Sequence, residues 1–258
     1  MLIAQLSDTH LQTGPLAAEP ARLLHRALGS VLSLDLRPDC VVITGDIAND
    51  GRDEEYTALV QILERFPLPV HLLPGNHDEP ATMIARFGGS GYLGGGAAAH
   101  YFLDYPGTRL IALDTHVPGQ PGGHLGAEQL AWLDRTLRGS TGPAVIALHH
   151  PPIPVGLPFL DGMSLNNPAD LAAVTARHPQ VALILAGHAH RVVFGQFDVV
   201  PVAVAPSTYR QAALDLRAGP PTGYRHESTG FLLHRIERAG VVTHYVPTGS
   251  DGGTVGYF

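Results

Sequence analysis

Five apolar runs of the chain each end in polar residues whose side chains bind metal ions or carry protons. These residues are Asp8, His10, Asp46, Asn76, His77, His149, His150, His188 and His190. Asp8 and His10 are two positions apart, as are His188 and His190, so at a strand end both members of a pair point to the same side. Carboxylates, imidazoles and an amide oxygen are ligands typical of zinc, manganese, iron and cobalt. The pattern therefore predicts a site for divalent metal.

The apolar runs that precede these residues read as strands separated by helices. Residues 2–8, 39–46 and 69–76 are strand-like, and apolar residues recur at helical spacing over 19–35 and 53–66. The same rhythm continues with strands at 108–114, 143–150 and 181–188 and helices at 127–138 and 168–178. Because the carboxyl ends of strands in an open α/β sheet form one rim, we expect the polar residues to converge there.

The last third of the chain has a different character. Residues 191–206 and 228–247 read as antiparallel strands, and the second stretch is a hairpin that turns near Ala239 and Gly240. With the β-α-β part, these strands predict two sheets packed face to face, with the helices outside.

One domain is expected over 1–258, with a motif-bearing core at 1–190 and mainly antiparallel strands in 191–258. Two segments rich in glycine or proline read as loops, 88–99 and 151–167. The second loop directly follows the histidine pair and is placed to cover a site there.

The composition excludes several classes of function. The 258 residues are 45% hydrophobic, enough for a sizeable core, and carry a formal net charge of −7. No basic run is present, so no nucleic-acid polymer is expected as a partner. All 16 basic residues are Arg, which excludes Schiff-base lysines and the phosphate-binding lysine of a P-loop. Cys40, the single cysteine, cannot form an internal disulfide.

The N-terminal stretch MLIAQLSD lacks the basic start and long apolar segment of a signal peptide. No stretch of the sequence reaches the roughly 18 apolar residues that a membrane span needs. We therefore expect a cytoplasmic protein without a membrane partner.

Each motif taken singly has an ordinary structural explanation. An Asp-x-His pair can cap a turn, an aspartate after glycine is common turn chemistry, and Asn76 could cap a helix that Pro80 begins. The prolines after His150 could fix an extended loop. These explanations do not account for five polar clusters in order, each of which closes an apolar run.

The ordered motifs Asp-x-His, Gly-Asp, Gly-Asn-His-Asp, His and Gly-His-x-His run from Asp8 to His190 and resemble those of the calcineurin-like metallophosphoesterase superfamily. The segments LSDTH, TGDIAND, LPGNHD, LHHPP and AGHAHR look most like those of bacterial class III cyclic-nucleotide phosphodiesterases and related glycerophosphodiesterases. The resemblance implies an α/β fold, a four-layer α-β-β-α sandwich of two mixed sheets flanked by helices. It also implies hydrolysis of a small phosphodiester, such as a cyclic nucleotide or a glycerophosphodiester.

Carried onto this sequence, the resemblance implies two divalent ions, of manganese, iron, zinc or cobalt, that share Asp46. It assigns one ion to Asp8, His10, Asp46 and His190, and the other to Asp46, Asn76, His149 and His188. Two such ions can share a deprotonated water that attacks phosphorus in line. His77 would lie beside the pair and donate a hydrogen bond or a proton to the leaving oxygen. Because Asn76 is a neutral ligand, its site is expected to bind metal more weakly.

The segment GDIANDG departs from other branches of the superfamily. Protein phosphatases carry a second acid where Asn49 stands here, and purple acid phosphatases carry a tyrosine ligand there; both departures count against those activities. Asn49, His150 and Arg191 are candidate substrate contacts. Asn49 could equally be a turn residue, His150 could point away by strand alternation, and Arg191 could be an ordinary surface arginine.

Three alternatives remain open beside the small-molecule phosphodiesterase. A phosphomonoesterase could use the same metal pair. A ureohydrolase-like enzyme would rely on closely spaced aspartates, which GNHD and GHAH do not match. A non-catalytic metal-binding module would be favoured by the loss of a ligand position, and all positions are present. A homo-oligomer formed through the C-terminal strands is implied by the resemblance alone.

Overall fold

The computed structural model describes residues 1–217 and 223–248, and its strands form two large mixed sheets. The first sheet comprises β1 (Leu2–Leu6), β2 (Cys40–Thr44), β3 (Val70–Leu73), β12 (Gly230–Glu237) and β13 (Gly240–Pro247). The second comprises β4 (Tyr101–Tyr105), β5 (Thr108–Ala112), β6 (Ala144–Ala147), β7 (Val181–Ala186), β8 (Val193–Phe197) and β9 (Val200–Val204). A short separate ladder joins β10 (Gln211–Ala212) to β11 (Tyr224–Arg225).

The central strands of both sheets are parallel. In the first sheet the order is β13-β12-β1-β2-β3, with β1, β2 and β3 parallel to one another. In the second the order is β4-β5-β6-β7-β9-β8, with β5, β6, β7 and β9 parallel. Parallel strands bring their carboxyl ends to one edge, so the loops after β1, β2 and β3, and those after β6 and β7, are neighbours within their sheets.

The helices connect the strands and pack on the sheets. They are α1 (Ala18–Leu32), α2 (Asp53–Leu63), α3 (Pro80–Phe87), α4 (Ala127–Arg138), α5 (Pro158–Asp161) and α6 (Pro168–Thr175), with 3₁₀ turns at Gly14–Leu16 and Gly91–Leu93. Proline occupies the first helical position of α3, where a missing N–H costs nothing, and the Glu79 carboxylate accepts a hydrogen bond from the Ala81 N–H. Within the described residues, none of the helices has the length and apolar character of a membrane span.

Two apolar cores bind the layers together. The larger core joins Leu24 of α1, Val41 of the first sheet and Leu183 of the second. The smaller core lies between the second sheet and α4, where Ile146 meets Leu133. Parallel strands covered on both faces are expected to be apolar throughout, and all residues of β2 are buried. The predicted α-β-β-α sandwich of two mixed sheets is confirmed.

Two local expectations differ from the structure. The stretch 191–206 forms the predicted antiparallel strands, β8 and β9, but β9 also pairs in parallel with β7. The reason is the strand order: β8 is the outermost strand of the sheet and runs antiparallel to β7. The next strand, β9, lies between β8 and β7 and runs parallel to β7. The predicted loop 88–99 contains a 3₁₀ turn whose Leu93 is fully buried beside β3. Of the predicted C-terminal part, 218–222 and 249–258 lie outside the described residues.

Candidate metal centre

A first cluster of donor atoms forms where the loops after β1, β2 and β7 meet. His10 Nε2 lies 3.0 Å from His190 Nε2 and 3.7 Å from Asp46 Oδ2, and His190 Nε2 lies 3.4 Å from Asp8 Oδ1. All four side chains are buried, and one donor atom of each lies within 4.8 Å of the others. Two carboxylates and two imidazoles thus point at one small volume.

A second cluster adjoins the first and includes the loops after β3 and β6. Asn76 Oδ1 lies 3.2 Å from His149 Nε2 and 2.9 Å from His188 Nδ1. Asp46 Oδ1 lies 3.4 Å from the same His149 nitrogen, whereas Asp46 Oδ2 faces the first cluster. One carboxylate therefore presents an oxygen to each cluster, which is the geometry a bridging ligand requires.

Backbone carbonyls set the tautomers of two of the histidines. The Nδ1–H of His149 donates to the Thr44 carbonyl at 2.7 Å, and the Nδ1–H of His190 donates to the Arg210 carbonyl at 2.7 Å. A carbonyl only accepts, so both rings carry a proton on Nδ1 and direct Nε2 at the clusters. Nε2 of each ring is therefore the atom placed to bind a cation.

The donor set fits divalent cations. Burial lowers the pKa of His10 and that of His188 to about 3, so both rings stay neutral. Burial would also lower the pKa of His149, but the Asp46 carboxylate opposes it and raises that pKa to about 9. The neighbouring imidazoles, His149 above all, hold the pKa of Asp46 well below its ordinary value despite burial. The space beside Asp46 therefore favours positive charge, as a metal site must.

The backbone is strained at most of the candidate ligands. Positive φ angles occur at Asp8 (52°), His10 (44°), Asp46 (48°), His188 (69°) and His190 (48°). Such left-handed conformations cost a non-glycine residue about 1–3 kcal/mol and persist where the surroundings enforce them. Among the described residues, the remaining non-glycine residue with a positive φ is Asp198, in the β8–β9 turn. Strain concentrated at the converging loops marks them as a functional site.

Two glycines permit the close approach of these loops. A Cβ at Gly75 would lie 2.2 Å from Asp46 Oδ1, and a Cβ at Gly187 would lie 2.1 Å from the Ser7 hydroxyl. Both distances are far below van der Waals contact. The glycines of GNHD and GHAH are therefore required by packing around the carboxylates.

Asp78 fastens two of the loops together, a role that the sequence reasoning missed. Its carboxylate accepts hydrogen bonds from the N–H groups of Ile47, Ala48 and Gly75 at 2.9–3.1 Å and from the Tyr56 hydroxyl at 3.0 Å. Burial and the nearby Asp46 charge raise the pKa of Asp78 to about 6, although these backbone donors oppose the rise. The sequence signal that pointed to this role was the position of Asp78, a carboxylate directly after His77, the candidate proton donor.

Replacing Asp78 with alanine is expected to destabilise the fold by about 3 kcal/mol, since buried donors lose their acceptor. Urea denaturation followed by circular dichroism measures this change. Asp35→Ala, at an exposed aspartate on the surface, is the matched control and should change stability by less than about 0.5 kcal/mol. Equal stability of the two variants would contradict the fastening role.

Two neighbouring cavities open onto the metal clusters. The inner cavity, about 210 Å³, is lined by Asp46, Asn76, Pro121, Phe159, Leu160, Met163, His188 and Ala212. The polar cavity, about 250 Å³, is lined by His10, Gln12, Asn49, Tyr209 and Arg210. His77, His190 and Tyr224 line both. The loop 151–167 covers the inner cavity, since it supplies Phe159, Leu160 and Met163.

His77 lies where both cavities meet. Its ring centroid is 4.9 Å from that of His10, and its Nδ1–H donates to the Asn49 carbonyl at 2.8 Å. Its backbone N–H donates to Asp46 Oδ1 at 2.9 Å. The side chain is exposed, so the ring is placed beside the clusters with Nε2 available to a ligand.

The three candidate substrate contacts differ in their surroundings. The side chain of Asn49 donates to Asp50, and only its backbone carbonyl meets His77. His150 does not point away: it lies beside His149 and His188, with both ring nitrogens bonded, to Thr115 and to the Pro121 carbonyl. The reason is that β6 ends at residue 147, before the pair, so strand alternation does not apply.

Arg191 points toward the β10–β11 ladder. It donates to the Ala212 carbonyl and pairs with the Glu227 carboxylate at 3.0 Å. This contact favours a role in holding the ladder over a substrate contact. The side chains of Tyr209, Arg210 and Tyr224 line the cavities instead. They belong to the loop-rich stretch 208–230, whose residue types alone predict either a rim that reads the leaving group or an oligomer contact.

Comparison with known proteins agrees with this geometry. The sequence profile of the family described as calcineurin-like phosphoesterase matches residues 1–192. This chain belongs to the calcineurin-like phosphoesterase family. The matched segment contains every candidate metal ligand, and the predicted class, a hydrolase of phosphoric esters, is confirmed for this family member.

The sequences of two relatives align with most of this chain. A glycerophosphodiester phosphodiesterase of Enterobacter lignolyticus is 32% identical over 244 residues, which cover 89% of this chain and 88% of the relative. A 3',5'-cyclic adenosine monophosphate phosphodiesterase of Escherichia coli is 32% identical over 212 residues, covering 80% of this chain and 75% of the relative. The crystal structure of a dimetal phosphatase from Danio rerio shares the fold, with a TM-score of 0.69, 17% identity and coverage of 94% and 98%.

Proposed function

We propose that this chain is a dinuclear metal-dependent phosphodiesterase that hydrolyses small phosphodiesters. The observation that carries the proposal is the Asp46 carboxylate, which turns one oxygen to each of two adjoining donor clusters. One ion would be held by Asp8, His10, Asp46 and His190, and the other by Asp46, Asn76, His149 and His188. Of these ligands only Asn76 is an amide, so the second ion is proposed to bind more weakly.

Two bound cations would supply an activated water near neutral pH and would stabilise charge on the attacking and leaving oxygens. The chain's own part is to hold the phosphodiester and to deliver a proton. Hydrolysis forms a bond from the water oxygen to phosphorus and breaks an ester P–O bond, so the leaving oxygen must gain a proton. His77 is proposed to supply it from Nε2, because the Asn49 carbonyl holds Nδ1–H and fixes the ring.

The proposed substrate class follows from the relatives and from the cleft. The named relatives act on glycerophosphodiesters and on cyclic adenosine monophosphate. Two cavities that meet at His77 suit a phosphorus atom carrying two ester groups, one on each side. A monoester would leave one of the cavities unused.

Hydrolysis of bis-p-nitrophenyl phosphate by metal-stripped protein tests the proposal. Manganese, zinc, iron(II) and cobalt are titrated in separate assays, with the mononitrophenyl ester measured alongside. Stripped protein is expected to be inactive, and the best metal should restore turnover at about two ions per chain, with the diester preferred. Elemental analysis of each sample gives the metal content.

Three outcomes of this titration count against the proposal. Turnover that does not depend on added metal would exclude the dinuclear mechanism. Full activity at one ion per chain would exclude the shared role of Asp46. A stronger activity on the monoester would replace the phosphodiesterase with a phosphomonoesterase.

A further inference from the structure

Two neighbouring residues of the segment after β9, Tyr209 and Arg210, line the polar cavity beside the metal centre. Tyr209 is 7% exposed, and its hydroxyl is buried without a hydrogen-bond partner within residues 1–217 and 223–248. Because the hydroxyl is closed to solvent, Tyr209 contributes its ring to the cavity wall, and the group that meets a ligand is Arg210.

Arg210 brings an uncompensated positive charge to the same cavity. Its guanidinium lies over the Tyr209 ring, 4.4 Å from the ring centroid. In the part of the chain that the structure describes, Arg210 forms no ion pair, whereas Arg191, which follows the GHAH motif, is paired with Glu227. Stacking on an aromatic ring orients the planar guanidinium without neutralising it, so its donors remain available to a ligand.

The backbone of Arg210 fixes its position relative to the metal centre. Its carbonyl accepts the Nδ1–H of His190, and its N–H donates to the Ser207 hydroxyl at 3.1 Å. The same Ser207 hydroxyl donates to the Asp8 carbonyl at 2.6 Å. Arg210 therefore lies on a segment whose backbone is bonded to two candidate ligand residues.

The two cavities differ in chemistry. Phe159, Leu160 and Met163 make one side of the inner cavity apolar, whereas Gln12 and Arg210 supply hydrogen-bonding groups to the polar cavity. Tyr224 lines both cavities. A diester bound at the metal centre would place one ester group on each side.

We propose that the polar cavity is a binding site for an anionic group, a carboxylate or a phosphate, carried by the ester group of the substrate that does not leave. This inference rests on the proposed phosphodiesterase function and narrows its substrate to diesters with a second negative charge. Arg210 binds the anion through its fork of N–H donors, which the Tyr209 ring beneath the guanidinium orients.

Three p-nitrophenyl diesters with the same leaving group test the proposal. Their second ester groups are methyl, 3-carboxypropyl and 3-carbamoylpropyl, so the last two differ in charge and hardly in shape. The metal-loaded wild-type protein is expected to favour the carboxylate over the carboxamide by about tenfold in kcat/KM, mainly through KM, as hydrogen bonds to charged groups imply. A 3-phosphonopropyl diester then distinguishes phosphate from carboxylate as the better anion.

In Arg210→Gln, the kcat/KM for the carboxylate ester divided by that for the carboxamide ester should fall close to one. Arg210→Lys should restore part of the preference for the carboxylate. Arg65→Gln, at a distant surface arginine, is the matched control and should keep the wild-type ratio. Circular dichroism and metal content establish that each variant is folded and loaded.

The outcomes separate this inference from the proposed function. If wild-type protein with bound metal fails to hydrolyse even the methyl diester, the phosphodiesterase proposal itself is wrong. If it hydrolyses all the diesters but shows no preference for the anion, only the anionic subsite is wrong. An equal loss on every ester in Arg210→Gln would also overturn the subsite, because it would place Arg210 at the scissile phosphate.

Discussion

Replacing Asp46 with alanine is expected to remove both metal ions and to lower kcat/KM for a phosphodiester by at least about 10³-fold. Metal ions stabilise the charge of such a transition state by several kcal/mol, and each 1.36 kcal/mol is tenfold in rate. Asp46 Oδ2 faces His10 and Asp46 Oδ1 faces His149, so one substitution deprives both clusters of a charged ligand. Elemental analysis after dialysis, together with hydrolysis of bis-p-nitrophenyl phosphate, measures both effects.

The matched control for this variant is Asp50→Ala. Asp50 lies four residues further along the same loop and is exposed, so its loss removes the same charge without touching either cluster. It should retain both ions and most of the activity. Retention of two tightly bound ions by Asp46→Ala would show that the shared carboxylate is wrongly assigned. Loss of a single ion would place Asp46 in one site only.

His77→Ala is expected to keep both ions and to slow hydrolysis by about 10²–10⁴-fold for diesters with alkyl leaving groups. The ring lies beside the clusters rather than within them, and its Nδ1–H is bonded to the Asn49 carbonyl. An alkoxide is a strong base that must gain a proton as it leaves. Glycerophosphodiester hydrolysis, assayed by release of free alcohol, measures the loss.

The leaving group separates this role from a structural one. A p-nitrophenolate leaves without a proton, so His77→Ala should lose less than about tenfold with a p-nitrophenyl diester. His25→Ala, on the exposed surface of α1, should match the wild type on both substrates. An equal loss with both leaving groups would argue that His77 positions the substrate instead of donating a proton.

Much of the fold could be predicted from the sequence because the physical signals for its strands and helices are local. Parallel strands buried on both faces require continuous apolar runs, and β2 and β7 are such runs. The helix at 80–87 was also predicted, because Pro80 suits a first helical position. The β7–β9 pairing was not predicted, because the choice of neighbour in a sheet depends on which edge is free and not on the strand's own sequence.

The candidate metal ligands were selected from sequence because each lies just after a strand. The fold brings Asp8 and Asp46 to one edge of the first sheet and His188 to the adjoining edge of the second. The supporting residues carry no such signal. In the sequence Asp78 is only the last residue of the GNHD motif, yet it accepts four hydrogen bonds that hold two loops together. Its role depends on backbone N–H groups of other loops, which sequence spacing does not reveal.

The sequence by itself thus determined the kind of chemistry, since ligand types and their order after strands are local properties. Only the tertiary structure decided that the space beside the metal centre is divided into an inner cavity and a polar cavity. Arg210 and Tyr209 reach the polar cavity because the segment after β9 returns to His190, where the Arg210 carbonyl accepts the ring N–H. Phe159 reaches the inner cavity because the loop after β6 folds over it. The position of loop 151–167 after the histidine pair predicted that it covers the site, but which of its side chains line the cavity depends on the packing of the whole chain, which no local pattern encodes.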